Sequence, residues 1–131
     1  MPYRITWETS GVYREYLGDV TIAERRDSFD AICGDPRFDD LRYSITSYLG
    51  VGSYEVTSEA TAEIAALHIA PFVTNPAIVM AAVVDRADIV DAIDDFRRHA
   101  FTAVPYRTFR TLAEARRWVA DSLAELARVS R

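Results

Sequence analysis

The chain has 131 residues, half of them apolar, with 15 basic and 20 acidic side chains and a formal net charge of -5, so a single domain with one hydrophobic core is expected over residues 1–131 and disorder is excluded. A pI near 5.0 leaves no electrostatic footprint for DNA or RNA, and nucleic acid is not an expected partner. Every basic residue is an arginine, which rules out a Schiff-base lysine and a P-loop lysine whatever the cause of the bias.

Tyr3, Ile5 and Trp7 alternate with polar neighbours, the period of a strand with one buried face. Thr9-Ser10-Gly11 supplies a turn, and Val12 to Leu17 returns as a second strand, so the chain opens with a hairpin. That strand places Tyr13 and Leu17 on one face and Val12 and Tyr16 on the other, and exposure of Tyr13, Tyr16 or Trp7 would favour a homodimer. Gly18-Asp19 is expected to break the strand. Thr21 and Glu24 have the spacing of a capping box, so a helix starts at Thr21, with Ile22, Phe29, Ile32 and Cys33 inward, Arg25, Arg26 and Asp30 in water, and Gly34-Asp35-Pro36 as its stop.

Leu41 to Leu49 is β-prone and predicts a third strand, feeding a loop from Gly50 to Val56. Thr57 and Ser58 compete as N-caps of the next helix, which buries Ile64, Leu67 or His68, and Phe72, and which Pro71 kinks or ends. Ala77 to Val84 is an unbroken apolar run. Its length suits a strand covered on both faces and is far below the roughly 20 residues of a membrane span, so none is expected. Asp85 or Asp88 opens a helix with Ile89, Ile93, Phe96 and Ala100 on one face. Tyr106 to Phe109 follows Pro105 as a short strand. Thr111 and Glu114 form a second capping box, and Leu112, Ala115, Trp118, Val119 and Leu126 line the last helix, leaving Arg116, Arg117 and Glu125 wet.

Strands separated by helices imply an α/β domain with a mostly parallel four- to five-stranded sheet, one antiparallel hairpin edge and four helices. Cys33 is the only cysteine, which excludes an intrachain disulfide and a multi-cysteine zinc site and reads best as a small buried thiol. The N-terminus lacks the apolar core of a signal peptide, so a cytoplasmic location is expected.

Chemistry is sparse. His68 and His99 lie on different helices and form no metal-binding pair, and the aspartates at 88, 91, 94 and 95 read as a solvated helix face. No cofactor and no metal are expected. Gly50-x-Gly52-Ser53 is the only glycine-rich stretch; it lies between a strand and a helix, where backbone amides can face an anion, but it lacks the third glycine and the lysine of phosphate-cradling loops. Its position makes Gly50, Gly52 and Tyr54 candidate ligand-loop residues.

The order of segments, the opening hairpin and the closing Phe109-x-Thr111-Leu112-x-Glu114-Ala115-x-x-Trp118-Val119 together resemble the STAS-like superfamily, the SpoIIAA-like fold of anti-sigma-factor antagonists. The resemblance implies a non-enzymatic regulatory domain that binds a protein partner through the end of the sheet carrying Gly50 to Glu59, switched by phosphorylation at Ser53, Thr57 or Ser58. The antagonists' Asp-Ser-Ser-Gly-like signature is absent, and helix capping is the other role open to Thr57 and Ser58. Domains of this topology also hold small apolar or lipid-like ligands between sheet and helix, with Tyr43, Tyr48, Tyr54, His68 and Phe72 as the candidate lining here. An unrecognised small enzyme is the third alternative.

Overall fold

The structure, a computed structural model, describes residues 2–100 and 104–129, with the side chain of Ala100 also outside the described set. Five strands, β1 (Tyr3–Trp7), β2 (Gly11–Val20), β3 (Tyr43–Tyr54), β4 (Val79–Val83) and β5 (Tyr106–Phe109), lie side by side in chain order. The β1–β2 pair is antiparallel and all later pairs are parallel. The expected α/β class and its antiparallel edge are therefore observed. The apolar run occupies β4, an interior strand beside the middle strand β3.

Parity along the strands assigns the two faces. Register pairs Arg14 with Thr46, Ser44 with Met80, and Met80 with Tyr106, so these side chains share one face, because side chains alternate across a sheet. The α1 helix (Ile22–Cys33), α2 (Ser58–Leu67), α3 (Ile69–Thr74) and α4 (Ala87–Ala100) cover it. The opposite face presents Ile45, Val79, Ala81 and Val83 to α5 (Leu112–Val129), which meets them with Ala115 and Val119. Val79 and Val83 are at most 1% exposed; full burial of such side chains stabilises by about 1.5–3 kcal/mol each.

The first capping box forms in full, and the second forms in its Thr111 half. The Thr21 hydroxyl accepts from the Glu24 amide at 3.2 Å while the Glu24 carboxylate accepts from the Thr21 amide at 3.3 Å, and Thr111 accepts from the Glu114 amide at 3.2 Å. The expected second helix is two helices. It breaks at His68, and Pro71 sits in the first turn of α3, where a missing N–H costs nothing. Leu67 turns outward at 43% exposure, leaving the inward role to His68, and Leu126 of α5 is likewise exposed.

Two expectations at the β2–β3 edge are corrected. Gly18-Asp19 does not end β2, and Gly50 to Tyr54 is not a loop, because the two strands stay paired out to Val20 and Tyr54. Each of two irregularities inserts one extra residue in β3: Glu15–Leu17 faces Ser47–Gly50, and Gly18–Asp19 faces Val51–Ser53. These bulges bend the strand and bring Tyr48, Val51 and Tyr54 into the same core cluster. Gly50 is demanded by packing, since a Cβ there would lie 2.8 Å from Leu17 Cδ2 and 3.2 Å from the Tyr16 carbonyl.

Among the described glycines, Gly18 alone has a left-handed backbone, with φ of 65°, and open space lies around the position its Cβ would take. Gly18→Ala is expected to lower stability in urea by about 1 kcal/mol from conformation alone. Unchanged stability would mean that the β2 backbone at Gly18, opposite the β3 bulge, relaxes freely.

Candidate functional site

The helix-covered face encloses a cavity of about 50 Å³ lined by Arg14 and Tyr16 of β2, Tyr48 and Tyr54 of β3, Tyr106 of β5, Arg25 and Phe29 of α1, His68, and residues of α2 and α4. A second cavity of about 30 Å³ adjoins it and shares Arg14, Phe29, His68 and Met80. Its remaining wall is mainly apolar, including Ile32, Phe38, Phe72 and Ile78. One polar compartment and one apolar compartment thus meet beneath the helices. A wider open depression of about 560 Å³ against Tyr3, Arg4, Ile5 and Leu17 lies at the hairpin edge. Its only charge is Arg4, which is paired with Glu15 at 3.6 Å, so it offers little chemistry.

Arg14 anchors the polar compartment. One terminal nitrogen donates to the Ser28 hydroxyl and the other to the Thr46 hydroxyl, both at 3.0 Å, and the guanidinium carbon lies 4.9 Å from the Tyr16 ring centroid. Its Nε is buried without an acceptor. Ser28 donates to the Arg25 carbonyl at 3.0 Å, so with its single proton committed it accepts from both Arg14 and the Tyr16 hydroxyl, the latter at 2.6 Å. Burial draws the Arg14 pKa down, and the phenols around it, Tyr16 foremost, outweigh that and leave it raised. The side chain is charged throughout the physiological range.

Arg25 is 8% exposed, donates to the Glu55 carbonyl at 3.1 Å and lies 4.5 Å from the Tyr54 ring centroid. Its expected position in water is corrected: Arg25, Ser28, Phe29 and Ile32 recur at helical spacing and form the buried side of α1. No carboxylate among the described residues forms an ion pair with Arg14 or Arg25. Taking a guanidinium out of water costs several kcal/mol, and a desolvated contact with a ring returns about 2 kcal/mol. The compartment is therefore electropositive.

The rings around it are neutral at pH 7. Burial pushes the phenols of Tyr48, Tyr54 and Tyr106 up, the last two strongly. Tyr16, Tyr48 and Tyr54 form a mutual cluster with ring centroids 5.4–6.2 Å apart. Burial holds His68 down at about 4, against a contribution from its bond to Ile64 that acts upward. The Nδ1–H donates to the Ile64 carbonyl at 2.8 Å, since a carbonyl can only accept, and Nε2 is left as an acceptor. The imidazole lies among Phe29, Phe72 and Phe96, with centroids 4.1–5.3 Å away.

Of the expected apolar lining, Tyr48, Tyr54 and His68 reach the first cavity and Phe72 the second. Tyr43 does not. It stands five residues before Tyr48, an odd separation that sends it to the α5 face, where its hydroxyl donates to Glu8. Arg116 of α5 also holds Glu8, in a two-pronged pair at 2.7 and 3.0 Å. The Arg116 bonds, with the Tyr43 bond, hold the Glu8 carboxyl below its usual range.

Gly50, Gly52 and Ser53 lie in strand β3 away from both cavities, and Ser53 donates to Asp19 at 2.8 Å. Thr57 is the N-cap of α2, its hydroxyl accepting from the Ala60 amide at 3.0 Å, and Ser58 is exposed beside it. Tyr16 is buried and Tyr13 and Trp7 are half-buried, so the exposure that would favour a homodimer is not found. Cys33 is half-buried, its thiol pushed up to about 11 by burial. His99 lies 3.5 Å from Asp95 on α4. Among the described residues no cluster of His, Cys, Asp and Glu suits a metal ion, and no helix is long and apolar enough to cross a membrane. As lining of the polar compartment, Arg14, Tyr16, Arg25 and Tyr106 escaped the sequence reading. Comparison with protein-family models and with curated proteins returns no match for the chain.

The His68 environment fixes a pH response. A histidine whose folded-state pKa lies below its unfolded value destabilises the fold as pH falls, because the unfolded chain takes the proton first. Stability should fall by up to about 3 kcal/mol between the ordinary value of 6.5 and about 4. That slope should vanish in His68→Gln, and the His68 ring proton followed by NMR should titrate near 4; a midpoint near 6.5 would contradict the buried neutral ring.

Proposed function

We propose that this chain is a non-enzymatic binding module of STAS-like fold that holds a small, largely apolar molecule between its sheet and its helices. The observation that carries this reading is the pair of adjoining cavities walled by aromatic rings on the helix-covered face. Such sites are concave, mostly apolar and fixed by a few polar groups. The side chains there support binding over catalysis. Among the described residues no hydroxyl or thiol is bonded to the open Nε2 of His68, and Ser28 spends its proton on a backbone carbonyl, so no nucleophile–base pair is assembled there. The segment order and the Phe109 to Val119 stretch support the STAS-like assignment. Native mass spectrometry of the purified protein should show a copurified small molecule that is lost when Ala92, which lines the first cavity, is enlarged to leucine. A bare protein mass at every preparation would count against the module.

A second reading, docking of a protein partner at Gly50 to Glu59, is favoured by the free end of β3. Its pairing with β4 stops at Ser47, yet the strand runs on to Tyr54. There the Arg86 side chain occupies the carbonyls of Val51 and Gly52 at 3.3 and 2.8 Å. Beyond it Val56 is 41% exposed, followed by exposed Thr57, Ser58 and Glu59. Partner recovery in a pull-down should change when Thr57 and Ser58 are both replaced by glutamate, and identical recovery would remove this reading.

A further inference from the structure

Resting on the binding-module reading, we infer that the molecule it takes is a small monocarboxylate with a short apolar tail, its carboxylate held at Arg14 and its tail lying in the compartment bounded by Ile32, Phe38, Phe72 and Ile78. Charge selects the head. Two guanidiniums, Arg14 and Arg25, face the polar compartment, and neither has a carboxylate partner among the described residues. An anion entering there gains two attractive interactions in a partly buried region, whereas an amine meets two like charges. Ser28 and Thr46 hold the two terminal nitrogens of Arg14 and so fix the plane of its guanidinium, the donor group whose shape a carboxylate matches.

The tail follows from the shared wall. Arg14, Phe29, His68 and Met80 border both compartments, so a group seated at Arg14 adjoins the mainly apolar one. Neutral His68 adds no charge along that route. Volumes of about 50 and 30 Å³ are too small for a nucleotide or a phospholipid and limit the tail to very few carbons.

The test is calorimetric titration of the full chain at pH 7 with butyrate, butanol, butylamine and acetate. Butyrate should bind at least about tenfold more tightly than butanol, acetate more weakly than butyrate, and butylamine not at all. Arg14→Gln, checked for folding by circular dichroism, should bring butyrate down to the butanol level while leaving butanol binding in place. Butanol or butylamine binding as tightly as butyrate to the unaltered chain would overturn the carboxylate head and leave the apolar cavity reading standing. Acetate matching butyrate would overturn the tail, and a folded Arg14→Gln that keeps the preference would overturn the role of Arg14. Binding of none of the four would overturn the inference and the module together.

Discussion

The parallel ladder between β2 and β3 is the constraint on which the molecule turns. It is the longest pairing in the sheet, and its two irregularities both add a residue to β3. Without them strict alternation would send Val51 to the far face. With them Tyr48, Val51 and Tyr54 gather with Tyr16 and Val20 in one cluster. The same ladder sets Arg14 directly beside Thr46 and so places a charged side chain, with its hydroxyl partner, under the helices. The glycines at 18 and 50 serve this pairing: one takes the backbone conformation the bend requires, and the other lets two strands approach where a side chain would collide.

Around Arg14 the interior is organised as a polar island within a ring-rich layer. Ser28 is its hub, accepting from Arg14 and Tyr16 and donating to the backbone of its own helix. Such networks specify one arrangement of sheet and helix because each member loses a partner if the helix slides. Arg25 extends the island to the Glu55 carbonyl, while the Glu55 carboxylate accepts from the Ile22 amide at 3.2 Å. The start of α1 and the end of β3 are therefore tied to the polar compartment. A change in what sits beside Arg14 has a short path of hydrogen bonds to the exposed segment after Tyr54.

Much of the architecture was legible because the signals were local. The capping boxes at Thr21 and Thr111, the hairpin, the apolar β4 and the brief β5 all follow from patterns a few residues long. The site was less legible because it depends on parity and on pairing between distant strands. Tyr43 and Tyr48 cannot share a face of a regular strand, and spacing alone would have separated them. Arg25 lies three residues before Ser28, four before Phe29 and seven before Ile32, so helical periodicity already placed it inward; its charge argued for water, and the Glu55 carbonyl and Tyr54 ring prevailed. Gly50 to Tyr54 resembles a loop in composition, and only the matching length of β2 makes it a strand. Nothing in the letters around Arg14 announces a half-buried cation beneath the helices. It sits in an alternating strand whose inward face is shown by Val12 and Tyr16, and register brings the hydroxyls that receive it.

The two faces of the sheet are covered unequally. Four helices arrive between strands and clothe one side as the chain proceeds, whereas the other side waits for α5, with Arg116 reaching back to Glu8 beside the opening hairpin. During synthesis, Ile45, Val79, Ala81 and Val83 emerge from the ribosome well before the segment that shields them. The nascent chain thus carries a bare, greasy sheet surface until α5 has emerged to cover it, an interval in which exposed apolar surface favours clumping.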